Sequence, residues 1–237
     1  MIAQGGKSIY GASVGILMLD AQFPRIPGDM GNAQTWPFPV LYRVVRDASP
    51  DLVVRHRAEG MLGAFIDAAR DLVKDGVDGI TTNCGFLSLF QKELSEAVSV
   101  PVATSSLMQV EMVNRILPAG KRAGVLTISA STLTKDHLTS AHVPDGTPIG
   151  TTEDGSEFTS AILGNRLTLD VDKARTDNVE AALALQSGNP DLGAIVLECT
   201  NMCPYALDIQ KATGLPVFSI VTFINWFQAG LIPPAYP

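Results

Sequence analysis

The chain is poor in the residues that mark several large classes of protein. Its 237 residues include three cysteines, an odd number and too few for a disulfide scaffold, so reduced thiols are expected. No C-x-x-C pair occurs, and His56, His137 and His142 show no ligand-like spacing with the cysteines; no metal site is expected. Lys and Arg number 17 against 24 acidic residues and never form a run, which argues against a nucleic-acid surface. Long apolar runs are also scarce. Val14 to Leu19 stops at Asp20, too soon for a signal-peptide core. Gly214 to Pro237 carries no charge, but Pro216, Asn225, Gln228, Pro233 and Pro234 interrupt it, so a buried strand and a core-facing helix are expected there instead of a membrane span. The expectation is a cytoplasmic protein with neither a membrane nor a nucleic-acid partner. What is plentiful is apolar: a 46% hydrophobic content supports a substantial core and excludes disorder.

Along the chain, short β-branched runs alternate with helical stretches. Strands are predicted at 13–19, 39–45, 77–82, 102–103, 122–128, 193–198 and 217–218. Helices are predicted from about Arg57 to Lys74 and over 86–98, 106–117, 132–141, 157–165, 172–187, from about 203, and over 220–229. Residues 143–156 read as turns. Residues 21–38 hold three Pro and two Gly and read as a loop long enough to have a purpose, a lid among the options. Strands alternating with helices imply parallel sheets covered on both faces.

The chain also repeats itself. GITTNCGFLSLFQKELSEAVSVPVATS (79–105) resembles AIVLECTNMCPYALDIQKATGLPVFSI (194–220), and Cys84 and Cys199 each lie 17 residues before a Pro-Val pair. Val14-Gly15-Ile16-Leu17 likewise resembles Ala123-Gly124-Val125-Leu126. Two homologous α/β halves follow, 1–118 and 119–237, with the 220–229 helix free to pack back on the first. Each cysteine follows a strand and precedes a helix, the end of a parallel sheet where ligands bind. A thiol so placed is expected to have a lowered pKa. Two of them facing across a cleft supply a base and an acid for stereoinversion, with Asn83, Gly85, Thr200 and Asn201 available to a substrate carboxylate. Cys203 reads as structural. Glu198 is expected to point away from the Cys199 side, or to raise its pKa by charge repulsion.

These motifs resemble the aspartate/glutamate racemase superfamily, which includes hydantoin racemases, maleate isomerases and arylmalonate decarboxylases. The matching residues are Asp20 after VGILML, Thr82 to Gly85, Thr127 to Ser131, and Glu198 to Asn201. The resemblance implies two flavodoxin-like halves with the site between them, no cofactor (pyridoxal phosphate included), and a homodimer. It implies Cys84 and Cys199 as acid/base residues, with Asp20, Asn83, Gly85, Thr127, Ser129, Thr200 and Asn201 near a small carboxylate substrate. The activity it implies is an isomerase: two-base racemisation of a carbon next to a carboxylate. The alternatives are a decarboxylase or cis-trans isomerase using one cysteine, and an inactive binder of small acids. The chain departs from amino-acid racemases in having Gly85-Phe86 after the first cysteine. Asn201 also stands where a proton-transferring His or Glu is common.

Overall fold

Strands β1 (Val14–Leu19), β2 (Val40–Val45), β3 (Gly79–Thr82) and β4 (Val102–Ala103) form one sheet in the order β2-β1-β3-β4. The structure, a computed structural model, describes residues 2, 3 and 5–236. Strands β5 (Arg122–Thr127), β6 (Ile149–Thr151), β7 (Leu192–Leu197) and β8 (Val217–Phe218) form a second sheet in the matching order β6-β5-β7-β8. All pairings are parallel. β1 and β3 are buried along their whole length, as strands covered on both faces must be.

The helices are α1 (Pro50–Arg55), α2 (Leu62–Asp75), α3 (Gln91–Ala97), α4 (Val110–Ile116), α5 (Lys135–Ser140), α6 (Phe158–Leu163), α7 (Val171–Gly188), α8 (Ala206–Thr213) and α9 (Ile220–Leu231). The helix expected from Arg57 begins later, at Leu62 of α2, and α1 is a separate short helix ahead of it. Ser49 caps α1, and a turn with Arg57 and Ala58 at φ 56° and 52° separates it from α2. The turn-rich stretch 143–156 conceals β6. The helices expected at 86, 106 and 203 open as 3₁₀ turns over Gly85–Phe90, Ser106–Gln109 and Thr200–Tyr205.

The last helix of each half reaches the other half. Asn114 Oδ1 on α4 accepts the amide of Ala123 on β5 at 2.7 Å. Ile220, Phe223 and Ile224 of α9 pack on Val14 and Ile16 of β1 together with Trp36. Among the described residues no helix is long and apolar enough to cross a membrane, and no three His, Cys, Asp or Glu side chains gather as a metal site would require.

Candidate active site

In each half, the first and third strands run side by side, and the chain turns sharply where they end. Cys84 follows β3 and opens one 3₁₀ turn; Cys199 follows β7 and opens the other. Both have extended backbones, at φ −149°, ψ 120° and φ −75°, ψ 125°. Thr200 Oγ1 donates to the carbonyl of Asn83 at 2.6 Å, tying one cysteine turn to the other. Ser106 Oγ, from the first half, donates to the carbonyl of Leu197 at 2.5 Å. The two cysteines therefore share a narrow cleft, partly open to solvent. Its wall is largely apolar, built from Leu19, Phe23, Val54, Phe86, Ile128 and Ile162, and its polar groups are Asn83, Cys84, Glu198, Cys199, Thr200 and Asn201. Few polar groups in an apolar cleft is the usual make-up of a small-molecule site.

The residue before each cysteine occupies the same place in both halves. The amide of Leu19 donates to Asn83 Oδ1 at 2.7 Å. In the second half the equivalent amide, Ile128, reaches the carboxyl of Glu198, and Thr127 Oγ1 donates to its Oε2 at 2.7 Å. Glu198 is completely buried, and Oε1 has no hydrogen-bond partner. Burial drives its pKa up to about 7, against the opposing pull of Thr127 and Ile128. Glu198 thus lines the cleft and does not point away from it, a place its position in the sequence does not reveal. Period-two alternation fails there because β7 has already ended at Leu197.

The thiols are not the low-pKa groups that the motif suggested. Burial pushes Cys84 up to about 12, with the charge of Glu198 adding to it; the amides of Phe86 and Leu87 and the more distant Arg25 pull the other way. Cys199 is raised further, by burial first, then by Glu198 and by Cys84 itself. Desolvation of the thiolate outweighs a few amide dipoles. Cys199 also has an acceptor for its proton: Sγ lies 3.6 Å from Asn201 Oδ1. The amide orientation is fixed, because Asn201 Nδ2 donates to Asp29 Oδ2 at 2.6 Å and a carboxylate can only accept.

Asp29 comes from the 21–38 loop, which is anchored over the second half. Arg25 pairs with Asp29 at 2.9 Å, and a Cβ on Gly28, whose φ is 96°, would sit 2.9 Å from the Pro204 Cα. Phe23 is the loop residue that lines the cleft. Trp36 and Phe38, from the same loop, pack toward α9.

Of the expected site residues, Asn83, Cys84, Cys199, Thr200 and Asn201 line the cleft. Gly85 lies against Glu198, since any Cβ there would collide with Glu198 Oε1 and its carbonyl oxygen. Thr127 reaches the site only through Glu198. Asp20 and Ser129 turn outward. Asp20 meets Arg46 at 3.3 Å and the amide of Asp47 at 3.4 Å, and Ser129 Oγ donates to Glu153 at 2.7 Å. His137 is buried, where it caps α5 through Thr134 and packs edge-on against Phe86 at 4.9 Å.

No protein-family profile matches the chain. Curated relatives do. A dimethylsulfoniopropionate lyase of Durusdinium sp. clade D is 29% identical over 95% of this chain and 77% of its own length. Dimethylsulfoniopropionate lyase 6 of Emiliania huxleyi is 32% identical over 93% of this chain. The chain spans 60% of the length of that second relative. These names are of lyases, which overturns the expectation of an isomerase and with it the racemase activity and the isomerase class. Among solved structures, arylmalonate decarboxylase matches with a TM-score of 0.60 at 16% identity, covering 94% of each chain. Allantoin racemase from Pseudomonas fluorescens matches at 0.57 and 15%, covering 92% of this chain and 90% of its own. Picrophilus torridus aspartate racemase matches at 0.54 and 15%, covering 93% of each. With its matched sheets and paired cysteine turns, this chain has the fold of the aspartate/glutamate racemase superfamily.

Proposed function

We propose that this chain is a lyase that expels dimethyl sulfide from dimethylsulfoniopropionate and leaves acrylate. The observation that carries the reading is the extent of the similarity: it runs over 92–95% of the chain in every dimethylsulfoniopropionate lyase matched, so both cysteine turns fall within its span. The chemistry needs little. A base takes the proton on the carbon next to the carboxylate, and that C–H pair becomes the new carbon–carbon double bond. The bond from the β-carbon to sulfur breaks, and its electrons leave with neutral dimethyl sulfide. Racemisation begins with the same proton, so one site geometry suits either outcome; the leaving group on the β-carbon makes the difference.

The asymmetry between the thiols supports Cys84 as the base. Two amides and Arg25 favour its thiolate, whereas the Cys199 proton is held toward Asn201. A sulfonium entering the cleft adds a positive charge, which lowers the pKa of both thiols at the moment of need. Cys199, as a thiol, donates to the substrate carboxylate while negative charge builds there. The test is incubation with dimethylsulfoniopropionate, reading dimethyl sulfide in the headspace and acrylate by proton NMR. Equal amounts of the two, lost in Cys84→Ser, are expected. Folded protein that releases neither overturns the proposal.

A further inference from the structure

The elimination as written leaves one buried group of the cleft without a task. Among the described residues lining it, Glu198 is the single carboxylate, and no Lys or Arg accompanies it. Arg25, whose charge is felt at Cys84, is not among the lining residues; its Nη1 pairs with Asp29 and its Nη2 is buried without a partner. One oxygen of Glu198 is held by Thr127; the other, buried, has no partner. An unpaired buried carboxylate costs several kcal/mol unless a cation or a proton answers it. A site built only for an anionic acid would place a cation here. This one places an anion among apolar and aromatic side chains.

We propose that Glu198 is the cation-recognising residue of the cleft, selecting onium compounds, in which methyl groups surround a positive sulfur or nitrogen, over neutral molecules of the same shape. An onium centre has no hydrogen to donate, so hydrogen-bond acceptors give it little. It is recognised by Coulomb attraction across van der Waals contact, and by aromatic rings. The cleft offers these together: Glu198 in its lining, with one carboxylate oxygen buried beside Gly85 and unpartnered, the rings of Phe23 and Phe86, and aliphatic surface from Leu19 and Ile128. Phe23 already faces one cation, with the Arg25 guanidinium carbon 4.6 Å from its ring centroid. Gly85 completes the arrangement, because any larger residue there would occupy the space beside the free oxygen. The identity of the onium substrate rests on the lyase reading; the preference for positive charge does not.

The test compares two ligands that differ only in charge, 3-(trimethylammonio)propionate and its carbon isostere 4,4-dimethylpentanoate. Each is titrated into the full chain by calorimetry at roughly pH 8, above the range in which a raised carboxyl titrates. The wild type is expected to bind the ammonium compound about tenfold or more tightly than its carbon isostere, which keeps the carboxylate and lacks the positive centre. In Glu198→Gln that ratio falls to about twofold or less, while Glu198→Asp keeps part of it. Equal binding of the two ligands by the wild type, tighter binding of the carbon isostere, or binding of neither overturns the inference, whether or not the variants fold. Preference for the cation without release of dimethyl sulfide removes the lyase reading alone. Release of dimethyl sulfide without the preference removes this inference alone.

Discussion

The two cysteine turns are built on one plan and filled differently. In the first half the residue before the cysteine is Asn83, whose Oδ1 accepts the Leu19 amide; in the second it is Glu198, whose carboxyl meets the Ile128 amide and the Thr127 hydroxyl. The residue after the cysteine is Gly85 on one side and Thr200 on the other. Glu198 fills the space that the missing Gly85 side chain leaves, and Thr200 reaches back to the Asn83 carbonyl. A duplicated α/β half thus keeps its backbone anchors, and the pair gains one ionisable carboxyl from a position that is a neutral amide in the other copy. Pseudo-symmetry therefore does not make the thiols interchangeable.

The strongest way to break the comparison is to remove each thiol in turn. Cys84→Ser is expected to lower kcat/KM for dimethylsulfoniopropionate by about 10³-fold or more, the scale of losing a general base, and Cys199→Ser by about 10- to 100-fold. Headspace assays of the two variants check this. Equal losses would show that symmetry, and not the difference between Asn83 and Glu198, governs the chemistry.

Next in size are the residues that follow the cysteines. Gly85→Ala drives a methyl into Glu198 and is expected to cost about 1–3 kcal/mol of stability by overpacking. It also lowers turnover about tenfold or more as the cleft shifts. Thr200→Ala removes one buried hydrogen bond, worth about 1 kcal/mol. Urea denaturation alongside the turnover assay separates the two variants.

The duplicated plan was legible in the sequence because it rests on spacing. Seventeen residues from cysteine to Pro-Val, twice, can be read without coordinates, and so can two sheets from alternating runs. What escaped depends on contacts. β6 is three residues with Gly150 in the middle, so no periodicity can reveal it; it is a strand because β5 offers an open edge. The raised thiols escaped because a motif shows amide dipoles and hides burial. Glu198 escaped because its direction depends on whether β7 ends one residue earlier or later. Asp29 had no motif at all, and it reaches Asn201 from 172 positions away.

A smaller effect sharpens the contrast between Asn83 and Glu198 through pH. The folded chain holds the Glu198 proton up to about 7, whereas an unfolded carboxyl releases it near about 4.3. Between those values the native state binds the extra proton, so stability falls as pH rises and levels off above about 7. The full effect is about 4 kcal/mol. His137 works in the opposite sense. Burial pushes it down to about 4, so its contribution is lost as pH falls from about 6.5 through that lower value. Subtracting Glu198→Gln from wild type cancels the histidine. The difference in urea midpoints is expected to shrink with decreasing pH, because the penalty that Gln removes is present only where Glu198 is ionised. A difference that does not vary with pH would place the carboxyl in an ordinary environment.

The smallest expected effect concerns the ends of the two first strands. Asp20 and Ser129 occupy equivalent positions after β1 and β5, next to Leu19 and Ile128, which both face the cleft. Neighbours in an extended chain point to opposite sides, and both polar residues duly turn toward the loop after the edge strand: Asp20 to Arg46 and Asp47, Ser129 to Glu153. Their work is to tie the strand end that positions an apolar wall residue. The Asp20–Arg46 pair is exposed at 77% on the arginine side, and such pairs contribute about 0–1 kcal/mol. Asp20→Asn is therefore expected to change kcat and KM by less than about twofold. A rise in KM of about tenfold or more with unchanged stability would instead put Asp20 in contact with substrate, and would mean that the first half closes over its ligand in a way the second half does not.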